Sequence, residues 1–337
     1  MQIIDPKLWA PNELNIGAKG GSEMMVQGVI ERLDPKFHDK FQIITSRVRE
    51  LHDDRIRILW CHDTYNDPES QHLLDQELRK RFHKIVFCNN YQMNQYQNYL
   101  GVPHDQQSCV IETAITPFGP IKNSNPKDEI RLYYASTPQR GLSLLVPVFE
   151  ELCKKYDNIT LDVFSSFKIY NWDNADNQFE ELFDRCRNHP KINYHGFQPN
   201  DVVRDASANA HIFAYPSIWP EQNSRSLIEA MSAGCVCVHP NLAGLADTSG
   251  GLTMQYQWDH DQTVHANLFY AVLDNAIDNL QKYDMMSYLT LQKAYVDYRN
   301  NWDRIAAQWN ALCESLLQEY SNKSTAIPAP TFTYRTS

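Results

Sequence analysis

Two series of short apolar runs, each alternating with longer stretches of helical spacing, constrain this chain more than any other feature. In the first series Ile43-Ile44, Ile56–Cys61, Ile85–Cys88 and Cys109–Ile111 read as strands. Ser22–Leu33, Ser70–Phe82 and Tyr91–Leu100 read as helices between them. In the second series Arg131–Ala135, Thr160–Phe164, Lys191–Tyr194, His211–Tyr215 and Cys235–His239 read as buried strands. Leu142–Tyr156, Asn177–Asn188, Asp201–Asn209 and Asn223–Ala233 read as helices, with further helix over 262–281 and 287–319. Strands separated by helices return parallel to one another, so each series predicts a parallel sheet covered by helices. Residues 116–128 hold three prolines and no periodicity, and read as a linker.

This pattern gives an α/β chain with a first domain over 1–118, a linker over 119–128 and a second domain over 129–286. A long helix over 287–320 follows, long enough to leave its own domain, and then a disordered Ser/Thr/Pro-rich tail over 321–337. The length of 337 residues accommodates two domains.

Composition narrows the function. A formal charge of −10 argues against a nucleic-acid binder that works by neutralising phosphates. No apolar run reaches the roughly 18–20 residues that span a bilayer, so no integral membrane segment is expected. The opening Met-Gln-Ile-Ile-Asp-Pro lacks the basic and apolar regions of a signal peptide. The eight cysteines form no Cys-x-x-Cys pair, and most lie in apolar runs, which fits a reduced, cytoplasmic compartment.

The segment His211–Asp247, HIFAYPSIWPEQNSRSLIEAMSAGCVCVHPNLAGLAD, is the most informative. A buried strand ends at Tyr215-Pro216, and a short loop carries Glu221. A helix starts near Asn223-Ser224, both good caps, and stops near Gly234. The free N–H groups of Asn223, Ser224 and Arg225 put partial positive charge at the carboxyl end of the sheet, where an anion docks. Glu221 and Glu229, eight residues apart, suit hydrogen bonds from sugar hydroxyls better than contact with phosphate. On spacing alone, Glu221 is equally a residue favoured by the helix dipole, and Glu229 a solvated helix residue.

Pro-Ser-x-x-x-Glu, seven residues, Glu-Ala-Met-x-Ala-Gly, an apolar strand and Gly-Leu-Ala-Asp together resemble the signature of glycosyltransferase family 4. Three more segments are similar and in order: Gly20-Gly21-Ser22-Glu23, Val86–Ile115 and Tyr134–Leu142 (YASTPQRGL). The resemblance implies a GT-B fold, with two Rossmann-like doubly wound domains facing a central cleft and a C-terminal helix crossing back to the first domain. It implies a retaining transferase that needs no cofactor or metal. The donor would be a nucleotide-diphospho-sugar, a UDP- or GDP-sugar. The acceptor would be a hydroxyl-bearing glycan, lipid-linked or small molecule, with peripheral membrane association open.

By the same resemblance, Glu221 contacts the transferred sugar and Glu229 the ribose. Arg140, where the family usually has lysine, grips the diphosphate. Ala135 stands where the family often has a further arginine, and Lys168 or Arg225 are candidates to replace its charge. Gly20 and Gly21 allow close backbone approach to the donor or acceptor; an ordinary turn before a helix is the plainer reading. His62, after a buried strand, is a candidate for contact with the sugar or help with the reaction, against a structural histidine. Ser165 and Ser166, ending another strand, are candidates for nucleotide contact, against a polar turn. Asp259-His260-Asp261 reads as a solvated loop rather than a metal motif, and Arg79-Lys80-Arg81 as a basic helix end rather than a lipid contact. A GT-B 2-epimerase or a non-catalytic nucleotide-sugar-binding protein are the alternatives.

Overall fold

The computed structural model describes residues 5–9, 20–122, 126 and 128–320. They divide into two compact units. The first takes 5–9, 21–113 and 302–320; the second takes Gly20 and the described part of 114–301. The stretch 321–337, read as a disordered tail, lies outside the described residues.

The first unit contains α1 (Gly21–Arg32), β1 (Phe41–Thr45), β2 (Ile56–Trp60), α2 (Gln76–Arg79), β3 (Lys84–Phe87), α3 (Asn90–Leu100) and β4 (Ser108–Val110). Its four strands pair in parallel in chain order, β1-β2-β3-β4. Every residue of β1 and β2 is buried, the polar Gln42, Thr45 and Arg57 included, so both faces of these strands are covered. The helix expected over Ser70–Phe82 is instead a 3-10 segment, Pro68–Leu74, followed by the single turn of α2. The reason is Asp75, whose extended backbone (ψ 118°) ends the first piece while its carboxylate caps the second at Glu77 N.

The second unit contains β5 (Ile130–Ala135), α4 (Leu142–Cys153), β6 (Ile159–Phe164), α5 (Glu180–Asn188), β7 (Ile192–Tyr194), α6 (Asn200–Asn209) and β8 (Ile212–Ala214). It continues through α7 (Arg225–Ala233), β9 (Val236–Pro240), α8 (Leu245–Ser249), β10 (Met254–Tyr256), α9 (Gln262–Lys282) and α10 (Met286–Arg299). All six strands are parallel, in the order β10-β9-β8-β5-β6-β7. The chain thus winds outward from β5 through β6 to β7, then returns to the other side of β5 and winds outward again. Strand order reverses between β5 and β8, and in open α/β sheets the carboxyl ends of the strands at such a reversal are where ligands bind. The sequence reading omitted β10 and α8, whose three and five residues are too short to show a period.

The segment read as a linker is packed onto the second unit. Phe118 N donates to Ser232 Oγ (3.0 Å), and Lys293 Nζ donates to Phe118 O (2.8 Å). The helical pattern over 287–320 is not one helix. It breaks at Asn300–Asn301, where Ile115 N donates to Asn300 O (2.6 Å) and Ile115 bridges Asn301 in parallel. Backbone committed to that pairing cannot continue a helix, so α10 stays in the second unit. The next helix, α11 (Trp302–Tyr320), belongs to the first. There Trp309 is fully buried against Trp60, with ring centroids 4.7 Å apart. Asn310 accepts from Asp34 N (2.8 Å) and donates to Arg32 O (3.1 Å). A side chain on Gly28 would strike the Trp302 ring at 2.1 Å, so α1 meets α11 at a glycine.

Candidate functional site

The site grows from the loops that follow β5, β6 and β8. After β5, Pro138–Arg140 forms a 3-10 turn, and Gly141 follows with φ +123°. No other residue fits there: a Cβ at Gly141 would lie 2.1 Å from the Pro216 carbonyl oxygen. After β8, the loop is tied to itself and to a neighbour. Ser217 Oγ donates to Trp219 O (3.0 Å), Glu221 N donates to Trp219 O (2.9 Å), and Gly244 N donates to Glu221 O (2.8 Å). A Cβ at Gly244 would lie 1.9 Å from the Gln222 carbonyl oxygen. Two glycines from distant points of the sequence therefore clamp the loop that presents Glu221.

Across the reversal of strand order, Arg140 Nη1 lies 3.3 Å from Glu221 Oε1. The contact is an ion pair without hydrogen-bond alignment, since Arg140 Nε and Glu221 Oε1 are buried with no hydrogen-bond partner among the described residues. Thr137 Oγ1, Gln139 Oε1 and Ser165 Oγ are also buried polar atoms without a partner among them. All of these sit on the loops after β5, β6 and β8, where a bound ligand can supply partners for them. Burial raises the pKa of Glu221, opposed by the Arg140 guanidinium and the Ser224 hydroxyl. For Arg140 burial works against the cation, but Glu221 and the Tyr170 and Tyr134 hydroxyls outweigh it, so it stays charged. Arg140 Nη2 also lies 3.5 Å from Tyr170 Oη.

Helix α7 starts beside Glu221. Ser224 caps it, accepting from Leu227 N (3.4 Å), and Gly234 ends it with φ +82°. Asn223 is half-buried and Ser224 buried at this mouth, where the first N–H groups of α7 carry the positive end of its dipole. One turn into the helix, Glu229 is 8% exposed and its Oε1 accepts from two arginines, Arg225 Nη2 (3.0 Å) and Arg204 Nη1 (2.9 Å). Arg225, a candidate for the missing phosphate charge, is thus engaged with Glu229. Arg204 has no counterpart in the sequence reading. It sits on α6, in no local motif, and only the tertiary fold brings it to Glu229.

The remaining candidates separate. Ser166 is tied down: it caps the turn Phe167–Tyr170 and donates to Asp176 Oδ2 (2.5 Å). Ser165 is buried beside it with its hydroxyl unpartnered, and Lys168 is exposed. Gly21 opens α1, with Gly20 before it. His62, in the first unit, follows the carboxyl end of β2. Its backbone N donates to Ser46 Oγ (2.7 Å), its ring packs on Trp60 at 4.5 Å, and burial pushes its pKa down to about 3. It is therefore a neutral imidazole at ordinary pH. Asp261 accepts from Thr263 N and Val264 N as the cap of α9. In the basic run, Arg81 is buried and donates to Leu78 O, and Lys80 pairs with Glu77. All eight cysteines are free thiols. Among the described residues no helix is long and apolar enough to cross a membrane.

Residues 118–250, which contain every element of the site in the second unit, match the family model described as "Glycosyl transferases group 1". No curated protein matches the chain in sequence. Solved structures do resemble it in fold. A glycosyltransferase from Rickettsia africae superimposes with a TM-score of 0.66 at 16% identity, covering 90% of this chain and 84% of that one. Sucrose-phosphate synthase from Thermosynechococcus elongatus gives 0.61 at 16% identity, covering 79% and 69%. Anabaena HepE, solved in complex with UDP and glucose, gives 0.58 at 14% identity, covering 78% and 71%. The chain therefore has the GT-B fold, built from two parallel α/β units, and its second unit carries the stretch that matches group 1 glycosyl transferases.

Proposed function

We propose that the protein is a retaining glycosyltransferase that moves a hexosyl or pentosyl group from a UDP- or GDP-sugar to an acceptor hydroxyl, without a metal ion. The observation that carries this reading is the Arg140–Glu221 pair, 3.3 Å apart at the reversal of strand order. A cation for the diphosphate and a carboxylate for the sugar stand side by side there.

The diphosphate is assigned to Arg140 and the amide groups at the start of α7, including those of Asn223, Ser224 and Arg225. A guanidinium holds two phosphate oxygens at once and stays charged as the leaving group gains negative charge. Glu229 is assigned to the ribose hydroxyls and Glu221 to a hydroxyl of the transferred sugar. Three guanidinium groups (Arg140, Arg204, Arg225) face two carboxylates here, a surplus that suits an anionic ligand. In the reaction, the bond from the anomeric carbon to the diphosphate oxygen breaks. The acceptor oxygen bonds to the same face of that carbon, and the departing diphosphate takes the acceptor's proton. The protein's share is to stabilise the leaving charge with groups already in place. His62, neutral and with Nε2 unpartnered among the described residues, is assigned a hydrogen bond to the sugar. Ser165, Lys168, Gly20 and Gly21 remain assigned to donor contact. Ser166 is the weakest of the set, because Asp176 already holds it.

The test is turnover of a panel of UDP-, GDP- and ADP-sugars with and without simple sugar acceptors, in buffer containing EDTA. The reading expects at least one donor to be consumed, with NMR showing a product of unchanged anomeric configuration. Consumption of donor alone to an isomer would mark an epimerase, and tight binding without turnover a non-catalytic binder. A panel that neither binds nor reacts would remove the reading altogether.

A further inference from the structure

Arg204 is anchored at three points beside the site. Its Nη1 donates to Glu229 Oε1 (2.9 Å) and its Nη2 to the Thr116 carbonyl (2.8 Å). Its guanidinium lies over the Phe118 ring, 3.8 Å from the centroid. Each contact uses a different part of one rigid planar group, so together they fix its orientation. Arg225 reaches the same oxygen of Glu229 from one turn earlier on α7. Both guanidinium groups thus converge on Oε1, while Oε2 accepts no hydrogen bond from the described residues. The Glu229 side chain as a whole is 10% exposed.

A glutamate has three side-chain torsions, and a carboxylate on an exposed helix face samples many positions. Recognition of a hydroxyl pair needs one position. We propose that Arg204 is a positioning residue for ribose recognition: by holding Oε1, it aims Oε2 of Glu229 at the ribose hydroxyls of the nucleotide. This inference rests on the assignment of Glu229 to the ribose. It adds that the ribose preference of the site depends on a residue that touches no nucleotide atom. Arg204 takes its own orientation from Thr116 and Phe118, on the segment that enters the second unit.

The test compares dissociation constants for UDP and GDP with those for their 2′,3′-dideoxy counterparts, measured by calorimetry on the full chain. The readout is the ratio of the two affinities, because a uniform loss of charge or fold cancels in it. The wild type is expected to favour the ribose form of whichever nucleotide binds by about ten- to a hundredfold, the scale of hydrogen bonds to a charged group. Arg204→Leu should bring the ratio below about threefold. Arg204→Lys keeps the charge but cannot grip Glu229 and Thr116 at once. It should hold the dideoxy affinity within about threefold and still lose the ratio, which also covers the case in which Arg204→Leu does not fold. A wild-type ratio in Arg204→Lys, with the ratio lost in Glu229→Gln, would overturn the role of Arg204 alone. No ratio in the wild type, or an unchanged ratio in Glu229→Gln, would overturn the ribose assignment of Glu229 and this inference with it. Absence of any nucleotide binding would overturn both.

Discussion

Arg140 and Glu221 are eighty-one positions apart in the chain, yet each stands out in the sequence as a candidate. Each lies in a short segment whose local chemistry is self-contained: a basic residue before a glycine, and an acid before a helix cap. Arg204 was not legible, because its meaning lies in a contact with Glu229, twenty-five residues away on another helix. The same locality explains Arg225, whose position the sequence supplied but whose partner it did not. At this scale the assignments predict separable effects. Arg140→Ala should weaken binding of the nucleotide diphosphate by about tenfold or more, read by calorimetry. Glu221→Gln should leave nucleotide affinity nearly intact while lowering kcat on the order of a hundredfold, read by donor turnover. Equal losses of affinity in both variants would contradict the division of labour.

At the scale of elements, the site depends on close approaches that only glycine permits. Gly141 has φ +123° and faces the Pro216 carbonyl, and Gly244 faces the Gln222 carbonyl. Gly141→Ala and Gly244→Ala should each destabilise the protein by more than about 1 kcal/mol and weaken nucleotide binding, because the strain falls on the Glu221 loop. Thermal unfolding together with calorimetry separates this from a simple loss of fold. Ser224→Ala should cost about 1 kcal/mol through loss of the α7 cap. Strands and long helices were visible in the sequence because burial imposes a period on them. The Ser70–Phe82 stretch misled because capping by Asp75, not apolar spacing, decides where its helix breaks. Likewise the pairing of Ile115 with Asn300 and Asn301, a long-range contact, divides what reads as one C-terminal helix.

At the scale of the whole molecule, the chain closes its first unit with its last described helix. Trp309, fully buried against Trp60, ties α11 to β2. Trp309→Ala should cost about 3–5 kcal/mol in urea unfolding. Acid stability follows from buried imidazoles in both units. Burial lowers the pKa of His62 to about 3, and those of His72, His83, His211 and His239 to about 4, from the ordinary 6.5. Between roughly pH 6.5 and 4 the unfolded chain therefore binds protons that the folded chain does not, so stability rises with pH. It is fully present above about 6.5 and lost as pH falls towards 4. The urea midpoint should fall steadily over that window, and a flat midpoint would show that these imidazoles are solvated.

One measurement bears most directly on the whole account: a crystal structure of the protein with the tightest-binding nucleoside diphosphate, UDP or GDP. It should show the diphosphate oxygens hydrogen-bonded to the Arg140 guanidinium and the first amides of α7, with the ribose on Glu229. A nucleotide bound away from the carboxyl ends of β5 and β8, with none of these groups in contact, would contradict it.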